Sequence, residues 1–166
     1  AARTPLPSAL HYAFQKALKV GKMIRTEFPL YQESQSLFST IWRLAHSFFS
    51  ELSSCKLLFV GNSEINRSLL AGFSRKGLSQ LTLSTQRPSA ALKQVPYTVL
   101  GREALASWQE FDLIICSSRA EGYLIRAPGA AGRLVIDLSV PRLVDPLVGS
   151  ASHLYNMEQI NELLHG

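Results

Sequence analysis

The stretch Leu134-Val135-Ile136-Asp137-Leu138-Ser139-Val140-Pro141-Arg142 decides the fold class of this chain. Its apolar residues, enriched in β-branched side chains, predict a buried strand, and Pro141 ends that strand because proline cannot donate to a ladder. An unpaired charge inside such a run is costly, so Asp137 lies either at the exposed carboxyl end of the strand or beside a fixed partner. Since ligands of open α/β sheets bind at the carboxyl ends of the strands, this stretch indicates a nucleotide-type sheet.

Composition predicts a folded domain. The chain has 166 residues, 46% of them hydrophobic, which is enough for one domain and an extension. It contains no run of about 18 apolar residues, so it predicts no membrane span. No His/Cys cluster has metal-ligand spacing, so it predicts no metal. The net charge of +5 permits attraction to phosphate-bearing ligands, RNA included.

Hydrophobic periodicity predicts two helices followed by alternating strands and helices. The leading helices are expected at about residues 8–24, which carry a basic run read as a solvated face, and 32–52. Strands are expected at about 56–61, 80–84, 97–100, 111–116 and 133–138, and further helices at about 63–77, 88–94, 103–108 and 157–165. This alternation predicts an α/β fold, a Rossmann-like doubly wound parallel sheet preceded by two helices.

A degenerate phosphate turn follows the first predicted strand. The dinucleotide pattern G-x-G-x-x-G keeps only its first glycine in the sequence Gly61-Asn62-Ser63-Glu64-Ile65-Asn66. Ser63 and Asn66 carry side chains where glycines normally admit the pyrophosphate and the packed helix. Ser63 is expected to cap the helix by accepting from an N–H group near Asn66. The turn is therefore either a phosphate site at a helix start or a cap that binds nothing.

Two further loops follow predicted strands. After the second strand come Thr85, Gln86 and Arg87, with no acid to bind a ribose 2′-hydroxyl. Arg87 is either a partner for a 2′-phosphate, which favours NADP over NAD, or a solvent-facing turn residue. Ser117 and Ser118 follow the fourth strand, where they either contact a nicotinamide ribose or phosphate or serve as ordinary turn residues.

The two cysteines are predicted to be reduced core thiols. Cys55 and Cys116 flank or end predicted strands and belong to no CxxC pair. No histidine or other base lies near Cys116 in sequence to activate it as a nucleophile. The chain therefore offers no catalytic residue.

Four segments together resemble the glutamyl-tRNA reductase family. They are the helix at 14–27, the Gly61 turn with Glu64, the triplet Cys116-Ser117-Ser118, and the stretch 135–146 with 154–157. The first and last are the specific ones. Members of the family keep more glycine in the phosphate turn and an Asn-Arg-Thr sequence after the second strand, where this chain has Thr85-Gln86-Arg87.

The resemblance implies the NADPH-binding domain of an enzyme that reduces glutamyl-tRNA to glutamate-1-semialdehyde in tetrapyrrole biosynthesis. It implies a catalytic-domain tail at 1–28, a cofactor domain at 29–156 and the start of a linker helix at 157–166. The whole enzyme is expected to be a cytoplasmic homodimer that dimerises outside this chain. The family's reactive cysteine matches neither Cys55 nor Cys116, so the chain, which begins at Ala1, is expected to be a fragment that is inactive alone.

The predicted cofactor is NADPH, bound by Gly61, Asn62, Ser63, Glu64, Ile65, Asn66, Thr85, Gln86, Arg87, Ser117 and Ser118. Two alternatives remain open. One is another NADP dehydrogenase domain, of the shikimate dehydrogenase type. The other is a Rossmann-like scaffold or RNA-interacting module that has lost its cofactor.

Overall fold

A computed structural model describes residues 27–91 and 94–165, with side chains described at 35–89 and 94–165. The first predicted helix and its basic run lie outside the described residues. The expectation of two leading helices is therefore met by one described helix, and the other stays a prediction.

Six parallel strands form one sheet. They are β1 (Leu57–Val60), β2 (Leu81–Ser84), β3 (Thr98–Leu100), β4 (Leu113–Cys116), β5 (Leu134–Asp137) and β6 (His153–Asn156). Their order is β3-β2-β1-β4-β5-β6, and every neighbouring pair is parallel. This is the order of the doubly wound fold, with its reversal between β1 and β4. The predicted fold class is confirmed.

Among the described residues, two helices precede the first strand and a helix follows each strand except β4. The helices are α1 (Glu27–Phe48), α2 (Glu64–Arg75), α3 (Pro88–Ala91) and α4 (Met157–His165), with 3-10 helices η1 (Leu52–Ser54), η2 (Arg102–Glu110) and η3 (Pro146–Ser150). Helix α1 begins at Glu27, before the predicted start at about residue 32, and so includes Pro29 in its first turn. Proline is tolerated there because the N–H groups of a first helical turn have no intrahelical acceptor.

One strand differs from the sequence-based expectation. Strand β6 was not predicted, because His153–Asn156 mixes polar and half-buried residues at the sheet edge and runs directly into α4. Between β4 and β5, where the sequence predicted no helix, the chain runs as a loop held by a bridge between Ile125 and Val144.

The sheet is buried on both faces. Alternate residues of the central strands face two apolar clusters, as expected for a covered parallel sheet. Leu57, Phe59 and Ile115 pack with α1, α2 and α4, whereas Leu58, Val60 and Ile114 pack with η2 and η3. The six carboxyl strand ends thus meet along one rigid edge. No helix among the described residues has the length and apolarity to cross a bilayer.

Candidate functional site

Gly61 joins the carboxyl ends of three strands. Its φ of 108° is a left-handed conformation, and its N–H donates to Ser84 O at the end of β2 at 2.8 Å. A Cβ at this position would lie 2.3 Å from Ser117 O and 2.4 Å from Ser118 Cβ. Only glycine fits so close to the loop after β4, so Gly61 sets the floor of the site.

A cleft of about 510 Å³ opens above this bend, within the size range of ligand sites. Eight of the eleven predicted residues line it: Gly61, Asn62, Ser63, Thr85, Gln86, Arg87, Ser117 and Ser118. Arg102 and Arg119 complete the lining and were not among the predicted site residues. Arg102 follows β3 and Arg119 follows β4, so the strand-end rule that selected Arg87 was the signal that could have found both.

Glu64, Ile65 and Asn66 do not line the cleft with their side chains. Glu64 is exposed on the first turn of α2, and Ile65 is buried in the core. The fully buried Asn66 donates from Nδ2 to Val60 O at 3.0 Å and to Gly61 O at 2.9 Å. Asn66 thus stiffens the bend from beneath, which a third glycine does not do.

Ser63 caps α2 as predicted. Its Oγ accepts from the Asn66 N–H at 3.0 Å and donates to Ser117 Oγ at 2.9 Å. The described residues provide no acceptor for the N–H groups of Glu64 and Ile65, which remain available to an anion. The cleft is therefore not closed by Ser63 or Asn66.

The cleft is strongly positive. Arg87, Arg102 and Arg119 line it, and none of the lining residues is acidic. Among the side chains described at 35–89 and 94–165 a single ion pair forms, Arg133 with Asp112 at 3.8 Å, and neither residue lines the cleft. Three cations that lack protein counter-charges favour a polyanionic ligand.

Asp137 has a fixed partner, which settles the alternative that the sequence left open. Its carboxylate is 1% exposed and accepts from the N–H groups of Ser139 at 3.0 Å, Leu143 at 2.9 Å and Val144 at 3.0 Å. Ser139 Oγ in turn accepts from the Ser118 N–H at 3.1 Å. Asp137 therefore holds the loop after β5, and through it the serine loop of the cleft.

Burial raises the pKa of Asp137 from 3.8 to about 6, against the opposing effect of its three backbone hydrogen bonds and Arg142. Because the folded-state pKa exceeds the unfolded value, the folded protein holds the proton more tightly. This contribution to stability is fully present below about pH 4 and is lost as the pH rises through 6.

We expect the wild type to lose about 2–3 kcal/mol of unfolding free energy relative to Asp137→Asn between pH 4 and pH 7, because the pKa of Asp137 is raised from 3.8 to about 6 on folding. Urea unfolding of both proteins at pH 4, 5, 6 and 7 measures the difference. If the difference in unfolding free energy between the two proteins does not vary with pH, the hydrogen bonds to Asp137 offset the effect of burial on its pKa.

The cysteines are buried free thiols, as predicted. Burial, reinforced by the charge of Asp137, raises the pKa of Cys116 well above its usual range, and burial together with Asp112 raises the pKa of Cys55. Neither is a thiolate at neutral pH, so neither is suited to be a nucleophile. Across the described part of the chain, no group of three His, Cys, Asp or Glu side chains is placed to hold a metal.

Comparison with known proteins agrees with this geometry. The family model described as Shikimate / quinate 5-dehydrogenase matches residues 43–163. The glutamyl-tRNA reductase of Chlamydia abortus is 32% identical over 143 residues, which are 82% of this chain and 41% of that protein. The chain thus spans about two fifths of the length of this curated relative.

Two solved structures share the fold. Glutamyl-tRNA reductase from Methanopyrus kandleri superposes with a TM-score of 0.65 at 15% identity, over 78% of this chain and 37% of that one. Quinate dehydrogenase from Corynebacterium glutamicum in complex with NAD has a TM-score of 0.55 at 10% identity, over 80% of this chain and 53% of that one. The resemblance read from the motifs is confirmed, and the chain belongs to the Shikimate / quinate 5-dehydrogenase family, with glutamyl-tRNA reductases among its relatives.

Proposed function

We propose that this chain is the NADPH-binding domain of a glutamyl-tRNA reductase, an oxidoreductase that reduces glutamyl-tRNA to glutamate-1-semialdehyde in tetrapyrrole biosynthesis. The observation that carries the proposal is the cleft itself. It lies where the strand order reverses and is lined by three arginines and no acid. The curated relative and the NAD-bound structural neighbour support a dinucleotide as the ligand.

The start of α2 and two loops of the lining correspond to the three parts of a dinucleotide. The N–H groups of Glu64 and Ile65 at the start of α2 receive the pyrophosphate. Arg87, after β2, receives the 2′-phosphate of the adenosine ribose. Ser117 and Ser118, after β4, receive the nicotinamide ribose. NADPH, when bound, supplies the hydride, and this chain supplies binding and orientation.

We further propose how the domains of the whole enzyme are organised. Residues 1–28 belong to a catalytic domain, 29–156 form the cofactor domain and 157–166 begin a linker helix. Glutamyl-tRNA binds to the whole enzyme, which is a homodimer through a region outside residues 1–166. Since Cys55 and Cys116 are buried protonated thiols, acyl transfer needs another nucleophile, and this chain alone has no turnover. Its two free thiols fit a cytoplasmic location.

The shikimate dehydrogenase-type alternative uses the same fold and cofactor, and the family model also carries that name. The curated glutamyl-tRNA reductases, which are 25–32% identical over most of the chain, favour the reductase. The scaffold alternative differs in one measurable property, because a scaffold does not bind NADPH.

Saturating NADPH is expected to raise the melting temperature of the 166-residue chain. At a hundred times the dissociation constant the bound state gains about 2.7 kcal/mol, or roughly 5–10 °C for a chain of this size. Thermal unfolding with NADPH or with inorganic pyrophosphate as the charge control measures this effect. An unchanged melting temperature at millimolar NADPH would favour the scaffold, and an equal shift with pyrophosphate would indicate a simple anion site.

A further inference from the structure

Two arginines stand at the ends of neighbouring strands on the same side of the cleft. Arg87 comes three residues after β2 and Arg102 two residues after β3. The two loops are joined, because Thr85 N–H donates to Leu100 O at 2.9 Å and Ser84 Oγ donates to Gly101 O at 2.9 Å. Arg87 and Arg102 therefore approach one ligand group from adjacent strands, while Arg119 lies across the cleft after β4.

The two side chains have different surroundings. Arg87 is exposed, whereas Arg102 is partly buried, and its Nε is shielded from solvent without a hydrogen-bond partner among the described residues. No ion pair of Arg102 forms within the described residues, even with the adjacent Glu103, whose carboxylate folds over Gly101. A shielded guanidinium nitrogen with no acceptor is costly, and an anion bound in the cleft that Arg102 lines would offset that cost.

We propose that Arg102 determines recognition of the cofactor's 2′-phosphate, with Arg87 as its outer partner; this inference rests on the proposed function. The adenosine ribose of a doubly wound domain lies at the end of β2, beside the two loops that carry these arginines. A phosphate dianion accepts paired hydrogen bonds from a guanidinium fork. The partial burial of Arg102 strengthens that contact, whereas solvent screens the contact of Arg87.

Calorimetric titration of the chain with NADPH and with NADH tests the proposal. Arg102→Gln is expected to weaken NADPH binding by roughly 10- to 100-fold, the value of a charged hydrogen bond, and to change NADH binding by less than about twofold. Arg87→Gln is expected to weaken NADPH binding less, because Arg87 is exposed. Arg126→Gln is the matched control, since Arg126 is exposed and does not line the cleft.

Arg102→Lys keeps the charge without the fork and is expected to recover part of the preference for NADPH over NADH. Circular dichroism shows whether Arg102→Gln is folded. If it is not, Arg102→Lys provides the comparison of NADPH with NADH instead. Equal losses for NADPH and NADH in both Arg102 variants would overturn the inference and leave the proposed function standing. A wild-type chain that binds neither dinucleotide would overturn both.

Discussion

Gly61→Ala is expected to destabilise the protein by more than about 3 kcal/mol and to abolish NADPH binding. An L-residue at a φ of 108° carries strain of about 1–3 kcal/mol. The new methyl would also lie 2.3 Å from Ser117 O, a backbone atom that cannot rotate away. Relief requires separation of the loops after β1 and β4, and residues of both loops line the cleft.

Gly77→Ala is the matched control for this prediction. Gly77 lies two residues after the end of α2 with a φ of 93°, and a Cβ there would meet nothing within 4 Å among the described residues. It therefore carries the backbone strain without the steric clash. Urea unfolding and NADPH titration of both variants isolate the contribution of the close approach to Ser117 and Ser118. Equal destabilisation by the two substitutions, with binding retained in Gly61→Ala, would contradict the role given to Gly61.

Asp137→Ala is expected to cost about 3–5 kcal/mol of unfolding free energy. The substitution leaves the buried N–H groups of Ser139, Leu143 and Val144 without an acceptor, and each such group costs about 1–3 kcal/mol. Release of the buried carboxylate offsets part of this sum. Because Ser139 Oγ holds the Ser118 N–H, we also expect weaker NADPH binding.

Asp145→Ala provides the comparison from the same loop region. Asp145 is a cap that accepts from the Leu147 N–H at 3.0 Å in an exposed position, so its loss is expected to cost about 1 kcal/mol and to leave NADPH binding unchanged. Chemical unfolding and titration of both variants measure the contrast. Similar costs for the two aspartates would show that the three-donor arrangement of Asp137 contributes no more than an ordinary cap.

Gly61 and Asp137 together position the groups that line the cleft. Gly61 allows the loop after β1 to contact the loop after β4. The buried carboxylate of Asp137 holds the loop after β5, which in turn supports the loop after β4. Neither Gly61 nor Asp137 is expected to contact the cofactor through a side chain. Both residues position other groups that are expected to contact it. The site is therefore a property of the sheet edge rather than of the phosphate turn alone.

The sequence by itself determined the fold class and most of the cleft. Buried runs such as Leu57–Val60 and Leu113–Cys116 are strands on either side of the strand-order reversal, and a glycine after the first run marks the bend. Local pattern suffices there because burial on both faces and a positive φ each restrict the residue type directly. The Ser63 cap was predicted for the same reason, since a cap spans only a few residues.

Only the tertiary structure decided which distant residues meet. Strand β6 forms because an open sheet edge pairs with it, although its own sequence is only half apolar. Arg102 enters the cleft because β3 lies beside β2, and Asp137 finds its donors because the loop after β5 turns back over it. These contacts depend on strand order and loop path, which no local pattern of residues encodes.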